Sequence, residues 1–128
     1  MVGEDILVVD DSATNLKLAR IMLQREGYGV RTATGAEDAL RAISTLKPRL
    51  ILMDVRLPGI DGLELTRRLR ANVATEDIVN LALSASRNMS DQQKALAAGC
   101  DGYVEKPFEV DSLLRVIAGH LLARRTTP

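Results

Sequence analysis

The sequence predicts an α/β fold in which one parallel five-stranded sheet is wound on both faces by helices. Short β-branched apolar runs alternate strictly with longer amphipathic segments, which is how such a sheet reads along a chain. Three of the runs are almost wholly apolar, as strands covered on both faces must be. The 128 residues, 46% of them apolar, suffice for one buried core and leave no room for a second domain.

The strands are expected at Ile6 to Val9, Gly29 to Thr32, Leu50 to Met53, Leu81 to Leu83 and Gly102 to Val104. Gly29-Val30-Arg31-Thr32 alternates and reads as an edge strand. Helix starts are marked where a capping oxygen stands three residues before Glu or Gln: Thr34 before Glu37, Asp61 before Glu64 and Ser90 before Gln93. Val110, Leu113, Leu114, Ile117 and Leu121 form one apolar face of the last helix, and Ala39, Leu40, Ile43 and Leu46 do the same for the second. The domain is expected over residues 1 to 123. Residues 124 to 128, Arg-Arg-Thr-Thr-Pro, read as a frayed tail or the stump of a linker.

Basic and acidic side chains balance at 17 each, so no global field favours nucleic acid, and any partner must be recognised by a local patch. No apolar run approaches the roughly 20 residues of a membrane helix. The opening Met1-Val2-Gly3-Glu4-Asp5 lacks the basic start of a signal peptide, so a cytoplasmic location without membrane contact is expected. The single cysteine, Cys100, cannot form an internal disulfide and reads as a small core residue. His120, on the last helix, reads as a surface or groove residue.

Open parallel sheets gather functional residues beyond the carboxyl ends of their strands. Here run one ends in Asp10-Asp11, run three in Asp54, run four in Ser84-Ala85, and run five is followed by Lys106-Pro107. Carboxylates converging there would repel one another and resist burial unless a cation compensates them. Oxygen-only ligands suit Mg²⁺ better than zinc, for which Cys or His ligands would be expected. Gly59 and Gly62, near Pro58, read as residues needed for the backbone to turn after strand three.

These strand-end residues, in this order, resemble the receiver domains of two-component response regulators over nearly the whole chain. Asp10-Asp11-Ser12-Ala13-Thr14-Asn15 and Leu50-Ile51-Leu52-Met53-Asp54 lean toward the single-domain CheY and DivK type. The resemblance implies a flavodoxin-like (βα)5 fold with strand order 2-1-3-4-5. It implies a phosphoacceptor at Asp54, charged by a histidine kinase or a histidine phosphotransfer protein. Asp11 would ligate Mg²⁺ directly, Asp10 mainly through water, and Asp54 and the backbone carbonyl of Arg56 would complete the protein ligands. Ser84, the backbone N–H of Ala85 and Lys106 would bind the phosphoryl group. A cis bond before Pro107 would aim the lysine inward. Ser84 and Tyr103 would act as switch residues, presenting the face of the fourth helix, fifth strand and fifth helix to a downstream protein target. The chain would not be an enzyme beyond accepting and losing its own phosphoryl group.

Two departures stand out. Asn80 interrupts a strand that is usually unbroken aliphatic in the family, and is expected near the strand start, partly solvated. Arg56 occupies a variable position thought to tune phosphoryl lifetime. Two other functions are open to such a chain. A Mg²⁺-dependent aspartyl-phosphate phosphatase would usually need an Asp where Arg56 stands, for general acid and base work. A pseudo-receiver scaffold would typically have lost one of Asp10, Asp11, Asp54, Ser84 and Lys106.

Overall fold

The structure, a computed structural model, describes residues 4–55, 61–84, 89–106 and 109–126. Strands and helices alternate along them: β1 (Asp5–Val9), α1 (Ala13–Arg25), β2 (Gly29–Ala33), α2 (Ala36–Thr45), β3 (Leu50–Asp54), α3 (Gly62–Arg70), β4 (Val79–Ser84), α4 (Met89–Ala98), β5 (Gly102–Glu105) and α5 (Val110–Thr126). Every strand pair is parallel and the order is β2-β1-β3-β4-β5. This is the doubly wound, flavodoxin-like arrangement expected from the sequence, with β3 central and β2, as expected, at an edge.

The two-residue period of a strand divides the core. Leu7, Val9, Ile51, Met53 and Ala82 pack toward α2, α3 and α4, whereas Ile6, Val8, Leu50, Leu52, Leu81 and Leu83 pack toward α1 and α5. A fully buried Leu or Ile contributes about 1.5–3 kcal/mol, so these central strands supply much of the driving force for folding. Helix α5 turns Leu113, Ile117 and Leu121 to the sheet, while Val110, expected on the same face, is half exposed. In α2 the buried stripe is Ala36, Ala39 and Ile43. Leu46 falls just past the helix as its C-cap and points into solvent, outside the stripe expected for it. The backbone of 124–126, assigned by the sequence to the tail, continues α5.

Of the three expected capping residues, Asp61 accepts the Glu64 N–H at 2.9 Å and starts α3. The other two do not cap as expected. The N-cap of α2 is Gly35, and the Asp38 carboxylate reaches back from inside the helix to the Thr34 N–H at 3.1 Å. Ser90 lies within the first turn of α4, one residue past its start at Met89. Helix α1 has an unexpected cap, Ser12, whose hydroxyl accepts the Asn15 N–H.

Two arginines tie the helices to the strand edge that lies away from Asp54. Arg31 on β2 pairs with Asp5 and donates to the carbonyls of Ala42 and Leu46 at the end of α2. Arg70, closing α3, donates to the carbonyls of Gly99, Glu76 and Ile78 and pairs with Asp101. Each adds a charged donor to C=O groups at a helix end or in a loop.

β4 is longer than Leu81 to Leu83, because Val79 and Asn80 pair with Leu50 and Ile51. Asn80 is therefore fully buried rather than partly solvated. Its Nδ2 donates to the Ile78 carbonyl at 3.2 Å, and its Oδ1 has no partner among the described residues. A desolvated, unpaired acceptor costs about 1–3 kcal/mol. The Ile78 carbonyl also accepts from Arg70 at 2.6 Å, so losing the amide would strand nothing. Asn80→Val is expected to stabilise the protein by about 1–2 kcal/mol. The measurement is the urea midpoint, which should rise at unchanged slope; an unchanged or lower midpoint would mean that Oδ1 is satisfied in solution.

Candidate phosphoacceptor site

A parallel sheet delivers all its strand ends to one edge, and here that edge is acidic. Asp10 and Asp11 follow β1, Asp54 closes β3, Ser84 closes β4 and Lys106 follows β5. Asp10, Asp11 and Asp54 each bring one carboxylate oxygen within 4.8 Å of the others. Lys106 reaches into the cluster from the far side: its Nζ donates to Asp54 Oδ2 at 3.3 Å and lies 3.8 Å from Asp10 Oδ2.

Local structure explains each position. The Asp10 N–H makes the last bridge to β2, donating to the Ala33 carbonyl at 3.0 Å, and α1 opens three residues later. The acidic pair therefore straddles the exit from the strand, with Asp10 buried and Asp11 exposed. The Asp10 Oδ1 accepts the Ser12 N–H at 2.9 Å and its Oδ2 accepts the Asn15 side-chain amide at 3.2 Å. Asn15 is a contact to the site that sequence reading passed over, since an Asn in a first helical turn carries no mark of where its amide points.

Gly62 has a different purpose from the one expected. It is the first residue of α3, its N–H donates to the Val55 carbonyl at 3.0 Å, and a Cβ there would meet the Asp54 carbonyl oxygen at 2.7 Å. Close approach of α3 to the backbone of Asp54, rather than a turn, requires glycine. Below this contact Thr66 donates to the Gly62 carbonyl at 3.0 Å and lies 3.8 Å from the Cys100 thiol. Cys100 is a buried core residue as expected, and burial pushes its thiol pKa up.

Ser84 is buried, and its carbonyl accepts the Lys106 N–H at 2.7 Å, which links the ends of β4 and β5. Tyr103 pairs with Ala82 in the sheet and packs, half-buried, against the α4 side of the core. Strand alternation turns Ala82 and Ser84 to the same face, so Ser84 and Tyr103 are neighbours on one side of β4 and β5. Arg56, Pro58, Gly59, Ala85 and Pro107 lie outside the described residues. His120 packs over Gly102 at the start of β5, where its Nε2 stands 3.2 Å from the position of a Cβ on that glycine, at the sheet edge opposite the carboxylates.

The site fits a divalent hard cation. Its donors are carboxylate oxygens, and among the described residues three carboxylates face the ammonium of Lys106. Between α1 and α5 a groove of about 640 Å³, walled by Leu18, Met22 and Leu114, opens beside Asp10 and Lys106.

The family model for the response regulator receiver domain matches residues 6–118. The chain belongs to the receiver family of two-component systems. It is 38% identical over its full length to the phosphate regulon transcriptional regulatory protein PhoB of Pseudomonas aeruginosa, of which it spans 55%. Over 92% of its length it is 33% identical to the polar-differentiation response regulator DivK of Brucella anthropi, of which it covers 96%. The chain thus spans about half of one relative and nearly all of the other. A solved structure, the receiver domain of the sensor histidine kinase PA1611 of Pseudomonas aeruginosa, superposes with a TM-score of 0.85 at 32% identity, covering 94% of this chain and 98% of that one. That receiver carries a magnesium ion coordinated in its active site cleft. Among the described residues, no helix is long and apolar enough to cross a membrane.

The Lys106 side chain is one-quarter exposed, whereas Lys47, paired with Asp77, is about half exposed. Exposed pairs are worth about 0–1 kcal/mol and partly buried ones more, because the stranded carboxylates stay desolvated. Lys106→Met is therefore expected to lower stability by about 1–2 kcal/mol, and Lys47→Met by less than about 0.5. Parallel urea titrations at low salt check the order, and equal losses would mean that water already screens the site.

Proposed function

We propose that this receiver takes a phosphoryl group onto Asp54 from a histidine kinase or a histidine phosphotransfer protein, and hands the signal to a protein target. The observation that carries the reading is the Asp54 carboxylate at the end of β3, held 3.3 Å from Lys106 and clustered with Asp10 and Asp11. An Asp54 oxygen attacks phosphorus in line, forming the P–O bond as the P–N bond of phosphohistidine breaks, and the departing imidazole nitrogen keeps the electron pair and takes a proton. Asp10, Asp11, Asp54 and the backbone carbonyl of Arg56 would hold Mg²⁺, which when bound neutralises the equatorial phosphoryl oxygens. Lys106, the Ser84 hydroxyl and the Ala85 N–H would receive those oxygens, and Arg56 would modulate the access of water. The domain would act in the cytoplasm over residues 1 to 123, with no catalysis beyond its own modification and its loss.

Incubation with Mg²⁺ and acetyl phosphate, followed by intact mass measurement, tests the acceptor. A labile gain of one phosphoryl group is expected, absent in Asp54→Asn, whose amide is nearly isosteric but a poor nucleophile. Undiminished labelling of that variant would sink the assignment. Turnover of many donors per chain would favour a phosphatase, and no adduct under any condition a scaffold.

The readout face follows from the shared side of Ser84 and Tyr103. A phosphoryl group shifts a conformational equilibrium only through groups that bind the modified state better. The Ser84 hydroxyl would move toward the new oxygens, and Tyr103 would turn inward behind it, changing the face of α4, β5 and α5. About one or two kcal/mol of bias gives a useful population change. With beryllofluoride as the phosphate mimic, amide exchange over residues 89 to 121 should change in the parent and much less in Ser84→Ala. Equal changes in both would break the link.

A further inference from the structure

We propose that Asn15 is a positioning residue for the cation site, an inference that rests on Asp10, Asp11 and Asp54 holding Mg²⁺. The Asp10 carboxylate is 4% exposed and is gripped at both oxygens, Oδ1 by the Ser12 N–H at 2.9 Å and Oδ2 by the Asn15 Nδ2 at 3.2 Å. One donor on each oxygen fixes the plane of the carboxylate and so decides which lone pairs face Asp11 and Asp54.

Both donors are neutral. A lysine or arginine in their place would orient Asp10 equally well, yet would cancel the charge that a dication needs. Lys106 already supplies one positive charge, 3.8 Å from the same Oδ2. An amide secures geometry without adding a second.

The position of Asn15 is itself set by the start of α1. Its backbone N–H donates to the Ser12 hydroxyl at 3.3 Å, so one short segment caps the helix, and both its members grip Asp10. Asn is a poor helix former, and at an exposed position an Ala or Lys would favour α1 more. Its side chain is spent on the carboxylate.

Supporting donors of this kind change metal affinity by about 10–100-fold when removed. The test is calorimetric titration of Mg²⁺ into the unphosphorylated full chain, alongside Asn15→Leu, Asn15→Gln and Asp11→Asn, with thermal midpoints recorded without Mg²⁺. Asn15→Leu is expected to weaken Mg²⁺ binding about tenfold. Asn15→Gln, which retains the amide, should stay closer to the parent, and the metal-free midpoints of both should stay close to it. A Kd for Asn15→Leu within twofold of the parent, or a loss of midpoint at unchanged Kd, would overturn the positioning role while leaving the Mg²⁺ site standing. Parent and Asp11→Asn titrating alike would overturn the cation site, and this inference with it.

Discussion

Like charges brought together at a protein edge need a nearby counter-charge, and that requirement organises this molecule. Asp10, Asp11 and Asp54 come within 4.8 Å of one another because a parallel sheet has only one carboxyl edge to which its strands can deliver them. Lys106 is the partial answer in the chain itself. It can serve only because β5 lies beside β4 and the Lys106 N–H is tied to the Ser84 carbonyl at 2.7 Å. Among the described residues one ammonium stands against three carboxylates, and that excess of negative charge suits a dication. Strand order, the β4 to β5 link and the lysine are thus parts of a single electrostatic arrangement.

The opposite edge is built for the reverse purpose. There Arg31 and Arg70 spend their guanidinium groups on backbone carbonyls and on Asp5 and Asp101, Arg31 closing the end of α2 and Arg70 tying the end of α3 to the segments before β4 and β5. Such planar, multiply bonded cations are the strong form of ionic contact, and they hold helix ends that would otherwise fray. The central strands between them carry aliphatic side chains on both faces, so the two edges are joined by a stiff, close-packed layer.

Strand number and the four polar strand ends were legible in the sequence because each is written locally, in a run of apolar residues followed by a polar stop, whereas the strand order came from the family resemblance. Helix ends were less legible. Thr34 stands one residue before the N-cap, Gly35, and its own N–H is taken by the Asp38 carboxylate, so the expected cap is absent for a reason of chain path that composition does not carry. Asn80 misled because a polar residue in an aliphatic run suggests solvent, whereas register with Ile51 draws it into the core. Gly62 looked like a turn residue, since composition cannot report a backbone oxygen 2.7 Å from an imagined Cβ. The arginine clamps, and the amide of Asn15 on Asp10, were invisible for the same reason: a side chain's partner in another segment leaves no trace in its own.

What joins the site to the rest of the molecule is the shared face of β4 and β5. Modification of Asp54, on the proposed reading, replaces one carboxylate charge by a group of about −1.5 to −2, set against the same lysine. Lys106 continues the backbone of β5 and its N–H is bonded to the Ser84 carbonyl, so a shift of that backbone toward the added charge would carry β5 with it. Tyr103 lies on that same short strand, half-buried against the α4 side of the core, where a small displacement exchanges apolar contact for solvent. Burial free energy of about 25 cal/mol per Å² means that some 40–80 Å² of ring surface suffices for a bias of about 1–2 kcal/mol. A tyrosine can hide or expose that much by a single side-chain rotation, since a whole aromatic ring buries about 150–250 Å². On that reading a charge event at the sheet edge would be matched in size to a packing event on the adjoining face.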